Sequence, residues 1–272
     1  MPIEQKTAST IDEVIIQLEQ IIQHCITTKD RTGYFAALYH SVTVRVKEGI
    51  LNNEFEDGKR MEKLDVVFAN RYISAVKQYH NKETPSAAWQ AAFDAAHKGR
   101  VLILQQLLLG MNAHINLDLG IAAVETVREQ DIHSIRNDFN SINTILGSLI
   151  FEVMNEINRV SPLLSLFGFH ASNDSILIQF SISNARDGAW SFAEDLSDKK
   201  EAFDFTTCVT NRDDVIKKLG ISLIRPKGLI RITMLIIYLF EWKNPAKVIK
   251  AFYKYKKKFI SQQNSPVKKE IY

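Results

Sequence analysis

The segment MNAHINLDLG, Met111 to Gly120, sets His114 and Asp118 four residues apart. On a helix that spacing puts an imidazole and a carboxylate on one face, and such a pair can supply two ligands to a divalent metal. Asp65 lies within the apolar stripe formed by Met61, Phe68, Ala69, Tyr72 and Val76, and Asp138 flanks Ile142, Ile145 and Leu149. Unpaired carboxylates on apolar faces are costly, so each needs a cation, a donor or a proton. Together Asp65, His114, Asp118 and Asp138 form a candidate ligand set for a divalent metal, as in carboxylate sites of helical bundles. The competing account is a hydrogen-bonded network that fixes helix register. Both require the four residues to converge in space.

At about 100° per residue, His114, Asp118 and Glu125 fall within about 40° of one another, whereas Gln105, Asn112 and Asn116 gather on the opposite face. A surface helix has one polar face. Two polar stripes separated by leucines place this helix at the centre, with polar groups aimed at neighbours on both sides. Asn70 and Arg71 occupy other faces of the helix that carries Asp65, and His40, Arg45 and Glu48 come from the one before it. A second constellation is NARDGAW, Asn184 to Trp190. Arg186 could hold an anion, with Trp190 one turn on, or could pair with Asp65.

These residues must be positioned by helices, because apolar residues recur at helical spacing and runs of period two are missing. The pattern gives helices at Ile11 to Thr28, Tyr34 to Lys47, Lys59 to Tyr79, Ser86 to His97, Val101 to Arg128 and Asp131 to Arg159. Further helices follow at Asp174 to Leu196, Asp213 to Leu219, Pro226 to Trp242 and Pro245 to Phe259. Thr10 is a cap for the first, and prolines open the last two. The expected fold is all-α: one bundle-like domain spanning 1–272, built on a central long antiparallel helix pair with no significant sheet. Its core covers 10–196, and a C-terminal helical extension with a basic tail covers 207–272, after the charged linker DLSDKKEAFD.

The 272 residues are 46% hydrophobic and 24% charged, within the range of globular proteins. The beginning MPIEQKTAST lacks the basic and apolar regions of a secretory signal, so a cytoplasmic protein is expected. Cys25 and Cys208 are expected as packed free thiols. Val101 to Val124 is long enough to span a bilayer but contains Asp118, which alone costs roughly 3 kcal/mol at its centre. Leu229 to Phe240 is too short and carries Arg231. Both are expected as buried core helices, with no transmembrane span.

Charge is uneven. From Arg225 onward there are twelve Lys and Arg against Glu241 and Glu270, a net +10 that leaves −7 for the rest of a chain whose total is +3. Lys243, Lys247, Lys250, Lys254 and Lys256 to Lys258 alternate with Val248, Ile249, Phe252, Tyr253, Tyr255 and Phe259. That pattern suits either a core-docked helix with a solvated lysine face or one lying on an anionic membrane, with nucleic acid the weaker candidate.

The strings MEKLDVVFANRY, MNAHINLDLGIAAV, DFNSINTIL and ARDGAW resemble the successive motifs of an uncharacterised helical family, domain of unknown function 5995. The resemblance runs strongly from Gly33 to Leu196 and weakly to Ala251. It implies one helical domain and marks Asp65, Asn70, Asn112, His114, Asn116, Asp118, Asp138, Arg186, Asp187 and Trp190 as motif positions. Leu117 stands where many members carry a second histidine, and Gly120 where they carry proline. Asp65, His114, Asp118, Asp138 and Arg186 are thus the candidate catalytic residues. Asn70, Asn112, Asn116, Asp187 and Trp190 are the candidate substrate-binding residues. The expected function is that of an enzyme with an interior polar site, a metal-assisted hydrolase, and the alternative is a non-catalytic helical binding or structural module.

Overall fold

The computed structural model describes residues 6–128, 130–164 and 182–253, and among them there is no strand. The chain runs through α1 (Ile11–Thr28), α2 (Gly33–Leu51), α3 (Gly58–His80), α4 (Ala87–His97) and α5 (Ile103–Ala113). A π-helical turn, His114–Asp118, leads without a break into α6 (Leu119–Val127), and a 3-10 turn, Ile132–Ile135, opens α7 (Arg136–Val160). Then come α8 (Ile182–Ser197), α9 (Ala202–Leu223), α10 (Leu229–Phe240) and α11, which is described over 245–253. The expected residues 174–181 of α8 and 254–259 of α11 lie outside the described residues.

Local sequence explains the boundaries. The Thr10 hydroxyl accepts from Glu13 N–H, and Ile11, Val14, Leu18, Ile21, Ile22 and Cys25 then form one buried stripe along α1. Asp57 accepts from the Lys59 and Arg60 N–H groups at the start of α3. Two helices are capped from a distance. Asp213 of α9 accepts from Ala87 and Ala88 N–H at 2.6 and 2.8 Å, and Glu241 accepts from Ile103 N–H at 3.2 Å at the head of α5. Each carboxylate sits where the exposed N–H groups of a helix start carry partial positive charge.

The run from α5 through α6 is the centre of the molecule. By length and composition it is the one helix among the described residues apolar enough to cross a membrane, but it is largely buried inside the fold. Around it stand α2, α3, α4, α8 and α9. α7 follows it through the 3-10 turn and, among the described residues, packs mainly on α2, so the expected central antiparallel pair is not seen among the principal contacts.

Two expectations change. The stretch read as a linker is a four-residue connection, 198–201, after which α9 runs from Ala202 rather than from Asp213. The first half of α9 is mostly exposed and rich in threonine, and only a narrow stripe of Phe205, Cys208 and Val209 packs against the core, so its periodicity is weak. The helix Leu229–Phe240, read as a core helix, buries only Met234 and Ile237. Arg231 and Tyr238 mark one side of it as polar, and the apolar side opposite them is the one that the fold leaves exposed.

Close helix approach depends on two glycines in the central run. A β-carbon on Gly110 would lie 2.5 Å from the Phe35 ring, and one on Gly120 would lie 2.6 Å from Phe192 and 2.9 Å from the Ala189 carbonyl oxygen. The second contact is against backbone, which has little room to yield. Gly120→Ala is therefore expected to lower stability by about 1–3 kcal/mol. Gly99→Ala, with nothing within 4 Å, is expected to be near neutral in the same chemical denaturation series. Equal midpoints for the two variants would refute the packing argument.

Candidate functional site

The two polar stripes of the central helix face opposite sides. On one side Gln105 donates to the Leu223 carbonyl and Asn112 to that of Ile216, both at 2.8 Å, and Asn116 donates to Asn112 at 3.1 Å. These amides join the central run to α9. Arg212 Nε completes that side by donating to the Asn116 carbonyl at 2.9 Å. A π turn interrupts the regular ladder of backbone bonds, so a partner supplied from another helix braces it.

On the other side lies the Asp118 carboxylate. Its Oδ2 accepts from Trp89 Nε1 at 2.7 Å and from His114 Nδ1 at 3.2 Å, and its Oδ1 accepts from Arg71 Nε at 3.1 Å. Three donors from three elements thus hold one buried carboxylate. Arg71 also reaches Glu125 at 3.4 Å and is partly exposed, so it forms the outer edge of the cluster.

His114 sits in a box of rings. Phe68 stacks on it with centroids 3.6 Å apart and planes at 7°, and Tyr39 meets it edge-on at 4.4 Å. Phe35, Tyr72 and Trp89 complete the walls. Burial lowers the pKa of His114, a shift that the hydrogen bond and charge of Asp118 oppose. A neutral imidazole donating Nδ1–H to the carboxylate carries its lone pair on Nε2. Among the described residues that Nε2 has no hydrogen-bond partner, and neither has the Tyr72 hydroxyl or Asp65 Oδ2.

Burial raises the pKa of the Tyr39 phenol, and the charge of Asp65 adds to that shift. Burial, aided by the charge of Glu62, pushes the Asp65 carboxyl itself up to about 7. Asp138 lies apart from this group. Its Oδ2 takes a bidentate clasp from Arg60, Nε at 3.0 Å and Nη2 at 2.6 Å, while its Oδ1 accepts from Glu56 N–H at 2.7 Å. Among the described residues no group of three or more His, Cys, Asp or Glu side chains is placed to hold a metal ion. The expected quartet therefore does not form a metal centre. Asp118 and Asp138 each recruited their own arginine, so no shared cation is needed.

Arg186 does not compensate Asp65. Its Nη2 donates to the Phe139 carbonyl, its guanidinium lies 4.4 Å from the Phe139 ring centre, and burial lowers its pKa to about 10. Trp190 donates to Glu194 at 2.6 Å under the Arg136 guanidinium, and Asp187 is exposed. Asn70 holds the segment before α1 by exchanging two hydrogen bonds with the backbone of Ala8. His40 faces Glu19 and Tyr253, and Arg45 pairs with Glu54. The residues that sequence reasoning missed at the His114 site are Trp89, Tyr39 and, as a direct partner, Arg71. An aromatic or arginine on an ordinary helix face carries no signal of its own.

One protein family, described as a family of unknown function (DUF5995), has a model that matches residues 11–226. No curated protein and no solved structure matches the chain.

Two predictions follow from the charges. Between the ordinary carboxyl value near 4 and about 7, folded Asp65 keeps a proton that the unfolded chain has released, so stability falls as pH rises through that window, by up to about 4 kcal/mol. His114 acts in the opposite sense, since the unfolded chain gains a proton below about pH 6.5 that the folded protein resists. Asp65→Asn is expected to shrink the drop in Tm between pH 5 and pH 8 without abolishing it. Glu241, also raised to about 7 by burial, supplies the remainder. An unchanged pH profile would show that Asp65 is already ionised. Trp89→Phe removes a donor from a buried carboxylate and is expected to cost about 1.5–3 kcal/mol in denaturant titration. A loss under 0.5 kcal/mol would show that Arg71 and His114 suffice.

Proposed function

The chain belongs to this family of unknown function, and we propose from its own residues that it is an enzyme whose acid–base centre is His114, with hydrolysis of a small substrate as the reaction class. The observation that carries this reading is the asymmetry of the imidazole: Nδ1 is fixed on Asp118, while Nε2 has no partner. A carboxylate that holds one nitrogen sets the tautomer and stabilises the imidazolium formed when the other nitrogen takes a proton. Asp65, pushed up to about 7, retains a proton near neutrality and is suited to the acid role beside Tyr39. Environments that separate the roles of two titratable groups are a feature of acid–base sites. Arg71, partly exposed at the edge of the cluster, carries a guanidinium that suits a substrate bearing a carboxylate.

A second reading rests on burial: His114 and Asp118 are 2% exposed and Asp65 is 3% exposed. In that case the cluster specifies packing, and the protein is a helical module that binds or organises partners without catalysis.

The two readings separate on His114→Gln, assayed against a panel of small chromogenic esters and amides, with thermal unfolding measured in parallel. For the enzyme, turnover of at least one ester or amide by the wild type is expected to fall about 100-fold or more in the variant while the fold is retained. Absence of turnover in the wild type, joined to a large drop in Tm for the variant, would establish the packing reading instead.

A further inference from the structure

Most of the exposed large apolar side chains among the described residues belong to α10. Leu229 is 77% exposed, Leu239 63% and Phe240 60%, and Ile232, Leu235 and Ile236 are exposed beside them. At about 100° per residue these six side chains share a stripe about 140° wide, opposite the buried Met234 and Ile237, with Ile230 at the start of the helix exposed on that inner side. The helix that follows is different: Val248, Ile249, Ala251 and Phe252 of α11 are buried against the body. The apolar side of the 243–253 segment is therefore spent on the core, and the free apolar face lies one helix earlier.

The charges that flank α10 in the sequence are exposed cations. Arg225 and Lys227 precede it, Arg231 is exposed on its flank, and Lys243, Lys247 and Lys250 are exposed just after it. Between 225 and 253 there is a single acid, Glu241, and it is buried where it accepts from Ile103 N–H and the Ser161 hydroxyl. An exposed apolar stripe whose sequence flanks carry exposed cations and no exposed acid is the chemistry of a helix lying in the headgroup region of an anionic bilayer.

We propose that α10 is a peripheral membrane-docking element, which inserts Leu229, Ile232, Leu235, Ile236, Leu239 and Phe240 among the acyl chains while the flanking lysines and arginines contact anionic headgroups. A second copy of the chain fits this surface poorly. Two such faces brought together would oppose like charges, and a twelve-residue stripe, roughly 18 Å long and about 10 Å wide, falls well short of the ~800 Å² per partner of a stable interface. A bilayer neutralises the cations and needs no matching shape. Nothing in this surface involves His114, so membrane docking and the proposed chemistry stand or fall separately.

The test is flotation of the full-length protein with vesicles of phosphatidylcholine and phosphatidylserine, compared with phosphatidylcholine alone, at low and high salt. The wild type is expected to float with the anionic vesicles in a salt-sensitive manner. Leu239→Ser/Phe240→Ser, at positions that hardly touch the core, is expected to keep its melting temperature and lose binding by about tenfold or more. Arg231→Glu/Lys243→Glu is expected to lose the preference for phosphatidylserine. Three outcomes would overturn the proposal: no flotation at low salt, flotation undiminished in the serine variant, or a concentration-dependent dimer that the serine variant abolishes.

Discussion

A buried carboxylate cannot be left without donors, and Asp118 meets that constraint by drawing hydrogen bonds from the central helix, from α3 and from α4. Withdrawing an ionised carboxylate from water costs several kcal/mol even after relaxation, which makes the geometry of its donors binding on the helices that carry them. Arg71 sets the depth of α3, and Trp89 sets the rotation of α4. On the reverse side the π turn gives up the Asn116 carbonyl to Arg212, which fixes α9 in the same way. The central helix is thus held from both flanks by polar contacts whose directionality the surrounding apolar packing lacks.

The same economy governs helix ends. Acids that would be expensive inside the protein are placed at helix N-termini, where unpaired N–H groups need acceptors: Asp213 for α4 and Glu241 for α5. Both come from the C-terminal third of the chain. That third is consequently part of the central architecture, with Trp242 N–H also bonded to the Val160 carbonyl. From Arg225 onward the basic character lies outside, on lysines and arginines around an apolar helix, while Glu241, the one acid between 225 and 253, is turned inward.

Asp65 is the counterpart of Asp118. Both are aspartates on the apolar side of a helix, and both are buried. Asp118 is surrounded by donors, whereas Asp65 Oδ2 has none among the described residues, and its carboxyl is pushed up towards neutrality. The aromatic rings around His114 make its pocket apolar, which holds the imidazole towards the neutral form. Tyr39 meets the His114 ring edge-on, and the charge of Asp65 also acts on its phenol.

The sequence by itself determined the helical fold, because burial of one stripe per helix imposes a period that the residues obey from Ile11 to Thr28 and through most later elements. It also marked the central helix and its two polar stripes, since His114, Asp118, Asn112 and Asn116 break an otherwise apolar run. The tertiary structure alone decided who answers them. Trp89 and Arg71 are 29 and 47 positions from Asp118, and Arg60 is 78 from Asp138, so nothing local signals the pairing. The quartet expected around one ion was divided for the same reason: each carboxylate pairs with whichever donor packing brings closest. The π turn at His114–Asp118 and the exposed face of α10 were likewise set by packing. A local period records which residues prefer to be buried, and only the completed arrangement of helices determines how many of them find a neighbour.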